Sequence, residues 1–317
     1  MKISEMKYKR ILLNLSIVGL LSALFCCDGT KGISSKEITS ISEKEVNYIP
    51  YYLKVYEADS LYLVGNYERS FKILDSLFQE FEPLNQEGIY EYETYLKTSF
   101  LTNNNKIDKL VRKLIREWGY DKNRFESNND ENLSLAFDLS SIGNEGIENL
   151  LQIYNKKINW SLRDTILEIK RLDQMFRGVD LHKEDSIDKI HIKKINNIFQ
   201  SYGYPNYQKI GYSKPSEIID LDVVFAHFVN DLDSLEFEDF KEKLYLYVKR
   251  GEASPRVYAV FVDAKNIFVD KDREAYYGTF TSPKLIVDTA KINKRRSKIG
   301  LPSFTYQDFI MKNKFKL

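Results

Sequence analysis

From about residue 43 onward the apolar side chains recur at intervals of three and four, and that spacing restricts this chain to helical folds. The sharpest case is Ile107, Leu110, Val111, Leu114, Ile115 and Trp118, one stripe along a helix, with Gly119 placed behind it as a left-handed cap. Irregular patterning sets in after Asp270, where Ala275 to Phe280 and Leu285 to Val287 read as short extended pieces. The expected fold is therefore mostly α, with at most such short pieces between helices. Hydrophobic residues make up 43% of the chain and aromatic residues 14%, as a packed globular protein requires. Lysine plus arginine (47) nearly balances aspartate plus glutamate (46), so no global field favours nucleic acid as a partner.

The N-terminus follows a different rule. MKISEMKYKR carries Lys2, Lys7, Lys9 and Arg10 against a single Glu5, and the apolar run ILLNLSIVGLLSALF follows it. A spanning helix needs roughly 20 apolar residues, whereas this run is shorter and is interrupted by Asn14, Ser16, Gly19 and Ser22. A positive start and a short apolar run form the secretory leader pattern. The two cysteines of the chain, Cys26 and Cys27, stand at its end. Adjacent cysteines are poorly placed to bond each other, and no cysteine or histidine cluster surrounds them for a metal.

The stretch L-F-C-C-D-G resembles the cleavage site of bacterial lipoproteins, in which a cysteine becomes the first mature residue and takes up lipid. Cys27 fits that place better than Cys26, because the small Cys26 precedes it and Leu24 lies three residues upstream; Phe25 departs from the pattern. The resemblance implies a signal peptide over 1–26, lipidation of Cys27, and a lipid-anchored protein of the cell envelope outside the cytoplasm, with the membrane as partner. Two or more acyl chains hold far more firmly than one. Ordinary cleavage nearby and release of the chain is the alternative. Residues 27–42 are rich in serine, threonine, lysine and glycine, the composition of a flexible, solvated tether. The roughly 290 residues beyond the leader are enough to hold a core without disulfides.

The body divides by pattern into a helical-repeat module over 43–160 and a C-terminal helical domain over 161–317. Tyr56 to Pro83 resembles one tetratricopeptide repeat: a helix, the tight turn G-N-Y-E, then a second helix. Gly65 relieves the turn, Tyr67 opens the second helix, Ser70 lets two helices approach closely, and Leu74 and Leu77 continue the inner face. Tyr92, Tyr95, Leu96 and Ser99, the N-N-N turn and the Ile107 helix repeat the plan more loosely, and Asn132 to Tyr154 holds a third, degenerate pair. An unrelated helical bundle is the alternative. Stacked helix pairs offer a concave face to a protein or peptide partner; a groove filled by the chain's own helices counts against that role. Beyond 160, helices are expected from Trp160 to Arg177, over 186–202, from Ser216 to Val229, from Ser234 to Lys249, from Ser254 with Pro255 at its first position, over 290–299 and over 305–314.

Phosphate loops, G-x-G-x-x-G, H-E-x-x-H and G-x-S-x-G are all missing, and no cysteine follows residue 27. His182, His191 and His227 are the three histidines, and a zinc site of three imidazoles would consume them all from separate elements. Neither a metal nor a cofactor is expected. Polar residues do interrupt apolar helices. Asp173 lies on the 162-166-169-173-176 face, with Arg177 four residues on, the favourable order for a helical acid–base pair. His227 sits in D-L-D-V-V-F-A-H-F-V-N-D, Asp263 in V-Y-A-V-F-V-D-A-K-N-I-F, and Tyr277-Gly278-Thr279 is a turn carrying a phenol and a hydroxyl.

These positions, in this order, resemble an uncharacterised bacterial domain family of unknown function. Its motifs are D-Q-x-x-R, G-W-P, a helix with a histidine, a helix with an aspartate, Y-G-T and R-R-x-x-G-L. Here they read Asp173-Gln174-Met175-Phe176-Arg177, Gly203-Tyr204-Pro205, His227, Asp263, Tyr277-Gly278-Thr279 and Arg295-Arg296-Ser297-Lys298-Ile299-Gly300-Leu301. Where relatives often carry glutamine, this chain has Ala226 and Phe280. The resemblance implies a shared architecture and a candidate site, and brings no established activity.

Two readings of the polar set compete. In one, the chain is a hydrolase or transferase: His227, with Asp263 and Tyr277, is catalytic, working as general acid or base oriented by a carboxylate, while Arg177, with Asp173, Gln174 and Arg295, binds an anionic substrate group. In the other, Asp173–Arg177 and His227–Asp263 are buried pairs that tie helices together, and the chain is an interaction protein or a structural envelope component. The first requires Asp173, Arg177, His227, Asp263 and Tyr277 to converge on one open pocket. The basic run Lys291 to Lys298 reads as a solvated helix face, a dock for a phosphate-bearing surface, or a source of an arginine for the polar cluster.

Overall fold

The computed structural model describes residues 46–86, 89–127, 131–212, 217, 219–280 and 282–314. The leader, Cys27 and the tether expected over 27–42 lie outside the described residues. The fold is mostly helical, and no strand occurs among the described residues. Four helices open it: α1 (Ile49–Leu63), α2 (Tyr67–Glu80), α3 (Glu91–Leu101) and α4 (Ile107–Trp118). A short α5 (Lys122–Ser127), α6 (Glu131–Leu139) and α7 (Asn144–Lys157) follow, then α8 (Trp160–Met175) and α9 (Leu181–Tyr202). After the single turn α10 (Tyr207–Ile210) come α11 (Asp222–Phe228), α12 (Ser234–Lys249) and α13 (Pro255–Ala264). A π turn over Lys265–Val269 leads into irregular chain, closed by α14 (Thr289–Lys298) and α15 (Tyr306–Lys314). The extended pieces expected after Asp270 reduce to one bridge, Glu274 to Ile286.

Local chemistry accounts for the boundaries. Gly65, at φ +80°, makes the turn between α1 and α2. Ser70 is fully buried there and donates its hydroxyl to the Ala58 carbonyl at 2.7 Å, so a larger side chain would hold the two helices apart. All six residues of the α4 stripe are buried, and Gly119 follows in the left-handed region at φ +67°. A Cβ on Gly119 would stand 2.3 Å from the Tyr154 ring, so glycine is needed there for space as well as for φ. α12 spans the expected residues and opens with a reciprocal cap between Asp233 and Glu236. α13 opens with Ser254 as cap and Pro255 at its first position. α11 is shorter than expected: it begins at Asp222, and Ile219 and Leu221 reach the core from irregular backbone instead.

Val46–Leu317 is one compact unit. α1 contributes Tyr51, Tyr52 and Val55 to its core, and Tyr48 just ahead of it is buried too. The Tyr52 hydroxyl donates to the carbonyls of Val248 (3.0 Å) and Ala253 (3.1 Å), and the Tyr48 amide donates to the Lys249 carbonyl at 2.8 Å. Tyr56 packs edge-on against Tyr306 of α15 at 5.0 Å, and the Tyr306 hydroxyl donates to Asp59. In α3, every residue from Glu91 to Ser99 is buried. The inward faces of α1 and α3 are thus occupied by the chain itself. Among the described residues no helix is long and apolar enough to cross a membrane.

Candidate functional site

α8 starts from the Asn159 side chain, which accepts the Leu162 amide, and it points Leu162, Ile166 and Ile169 into the core. The next residue on that face is Asp173, only 2% exposed. A carboxylate so placed must be paired, and three side chains converge on it. Arg177, just past the end of α8, donates to its Oδ1 at 2.8 Å; Gln174 donates to its Oδ2 at 2.6 Å; and Nδ1 of His227, from α11, lies 2.9 Å from both oxygens. Burial pushes the Asp173 carboxyl up, but the hydrogen bonds from His227 and Arg177 outweigh it and hold the group at about 2. An ionised Asp173 makes Nδ1 the protonated nitrogen of His227, which leaves Nε2 for other contacts.

α9 supplies a second set of acids. Arg177 pairs with both oxygens of Asp188, at 3.0 Å through Nη1 and closer through Nη2, and lies 3.6 Å from Glu184. Its guanidinium is therefore spread over three carboxylates. Arg177 thereby braces α8 to α9, while it also lines the cavity where the sequence placed it as an anion-binding residue.

His227 and Arg177 line a cavity of about 540 Å³. Arg256, Lys271 and Asp222 complete its charged lining, and Val223, Val260, Phe268 and Phe280 supply apolar wall. Arg256 lies 3.4 Å from Asp222 through Nε, and Lys271 donates to the Phe268 carbonyl. Ala226 lines this cavity as well and adds to the apolar wall that Phe280 supplies.

The remaining expected site residues lie behind the wall or away from it. Asp263 is fully buried and does not pair with His227, contrary to the helix-tying pair expected from sequence. It accepts the Tyr277 amide (2.8 Å), the Thr279 amide (2.8 Å) and the Thr279 hydroxyl (2.7 Å). Burial pushes its carboxyl up, against the hydrogen bonds from Thr279 and Tyr277. Gly278, at φ +71°, turns the chain between those two donors, and Arg296 braces the turn from outside through the carbonyls of Tyr277 (2.9 Å) and Pro302 (2.6 Å). The Y-G-T turn thereby sets Thr279 in the cavity wall. Tyr277 is buried against Tyr258 and Tyr276 and does not line the cavity. Arg295 donates to Glu274 at 3.0 Å and stacks on Tyr276 at 4.1 Å, also outside it.

Asp173, Gln174, Arg177 and His227 thus form one connected group at the cavity, whereas Asp263 holds a wall and Tyr277 and Arg295 stand apart. Sequence reasoning passed over Asp188, Arg256 and Lys271. One signal was present, since Arg256 is a cation in the first turn of a helix, where the dipole disfavours it; the place of Lys271, at φ +60° on irregular backbone, had none. No family model, no curated protein and no solved structure matches this chain, so its site is read from its own geometry.

Proposed function

We propose that the cavity beside α11 is a small-molecule site in which His227 works as general acid or base on a ligand with an anionic group and an apolar body. The observation that carries this reading is the pairing of His227 Nδ1 with the buried Asp173, in the wall of a cavity that also holds Arg256 and Lys271. Asp173 holds the tautomer and the ring orientation, and Nε2 is the nitrogen left to move a proton. Arg256 and Lys271 supply the charge for an anion; Phe268, Phe280 and Val260 suit an apolar group. With His227 taking a proton from water or from a ligand hydroxyl, that oxygen is the nucleophile, and hydrolysis or group transfer is the reaction class. The occupied inward faces of α1 and α3 make this reading better supported than a peptide groove on those helices.

The test uses 4-nitrophenyl phosphate, which joins an anion to an apolar ring. Saturable binding is expected, weakened about tenfold or more in Arg256→Glu with Lys271→Glu, since losing one charge-assisted contact costs about 1.5–3 kcal/mol. His227→Ala is expected to keep the binding and lose about 10²–10⁴-fold in turnover. A chain that neither binds nor turns over aryl phosphates and sulfates ends this reading.

The leader pattern further places this site, in our proposal, outside the cytoplasm on a membrane anchor. Mass spectrometry of the N-terminal peptide is expected to find acyl chains on Cys27; an intact, unmodified leader on cytosolic material overturns that part.

A further inference from the structure

His191 stands apart from the network around His227. It is 0% exposed, and neither ring nitrogen has a hydrogen-bond partner. A buried imidazole with both nitrogens unsatisfied costs free energy that a ligand would return. One of its nitrogens lies within 4.8 Å of a carboxylate oxygen of Asp173 and of Asp188, and those two oxygens lie within 4.8 Å of each other. From these placements we propose that Asp173, Asp188 and His191 bind one divalent transition-metal ion.

Donors that share an ion at about 2.1 Å stand roughly 3–4 Å apart, so small side-chain shifts bring the three into ligating range. The charge balance also asks for a cation: Asp173, Asp188 and Glu184 face the single guanidinium of Arg177, and a dication offsets the excess. Finally, the carboxylates have lone pairs to give. Asp188 accepts two hydrogen bonds from Arg177, against about four acceptor sites on the group, and Asp173 accepts from Arg177 and Gln174 and shares the one Nδ1 proton of His227 between its two oxygens. One imidazole and two carboxylates suit Mn²⁺, Fe²⁺, Co²⁺ or Zn²⁺ better than the all-oxygen preference of Ca²⁺ or Mg²⁺.

The inference does not rest on chemistry at His227, because metal binding is read directly; its failure leaves the reading of the cavity standing, and the reverse also holds. The full chain, stripped with a chelator, is titrated with Mn²⁺, Zn²⁺ and Co²⁺ by calorimetry, and the Co²⁺ form is examined by visible absorption. Saturation at one ion per chain with at least one of the three is expected, with a rise in Tm and a Co²⁺ spectrum that reports nitrogen and oxygen donors. His191→Leu is expected to weaken binding by at least about 100-fold, beyond the effect usual for residues that only support ligands. His191→Gln and Asp188→Asn carry the same expectation, so the outcome does not hinge on the folding of one variant. No saturable binding by any of the three ions overturns the proposal, as does an affinity unchanged in all three variants. So does a His191→Leu chain more stable than wild type with and without metal, which would mark His191 as an unsatisfied core group.

Discussion

Asp173→Ala is expected to lower the stability of the chain by about 3–5 kcal/mol, the cost typical of breaking a buried ion pair from one side. The carboxylate is nearly sealed from solvent and accepts from Arg177, Gln174 and His227 together. Alanine leaves His227 Nδ1 without its acceptor, gives the exposed Gln174 amide to water, and takes one of the two close aspartates away from Arg177. Guanidinium chloride unfolding at neutral pH reads the loss as a lower midpoint with little change in slope. A loss under about 1 kcal/mol, the value for an exposed pair, would mean that water reaches this cluster freely. The same variant tests the coupling of the site to the fold: the side chain that orients His227 also braces α8 to α11 and, through Arg177, to α9.

Asp263→Ala is the second large effect, expected at about 3–4 kcal/mol, because three donors lose their acceptor at once and each buried orphan costs about 1–3 kcal/mol before relaxation. The donors are the Tyr277 and Thr279 amides and the Thr279 hydroxyl, all held within 2.8 Å. Asp263→Asn separates shape from acceptor capacity: one amide oxygen remains, but the NH₂ group faces donors. It is expected to lose nearly as much as alanine. Unfolding midpoints check both, and amide exchange at Tyr277 and Thr279 checks the cause, since the two amides should lose protection together in either variant. If Asn matches wild type, the carboxylate's second oxygen is not what holds the turn.

These two aspartates show how far the sequence reaches. Both stood out for the same reason, an acid on an apolar helix face, and the inference that each must find a buried partner held for both. Which partner each finds was not legible. Asp173 and Arg177 lie one turn apart, so helical spacing alone predicted their contact, and it is present at 2.8 Å. His227 lies 54 positions from Asp173, and nothing in the spacing of either helix says that α11 rather than α13 brings the matching side chain. Asp263 was expected to face that histidine; it serves three groups of a turn 14 to 16 residues along its own chain. Arg256 reaches the cavity from the first turn of α13, and Lys271 from the irregular chain after the π turn, where periodicity carries no information.

The helical class, the apolar stripe of α4, the caps at Ser254 and Gly119, and the close approach at Ser70 were all legible along the chain. Each depends on contacts within a few residues, where a period of 3.6 and backbone hydrogen bonding leave few choices. Long-range packing alone brings α1 against the C-terminal helices, gives His227 to Asp173 and not to Asp263, and leaves Tyr277 and Arg295 outside the cavity. The reason is physical: periodicity says which face of a helix is buried, whereas the neighbour that face meets is chosen by how all the helices pack together, a quantity that no single stretch of chain contains.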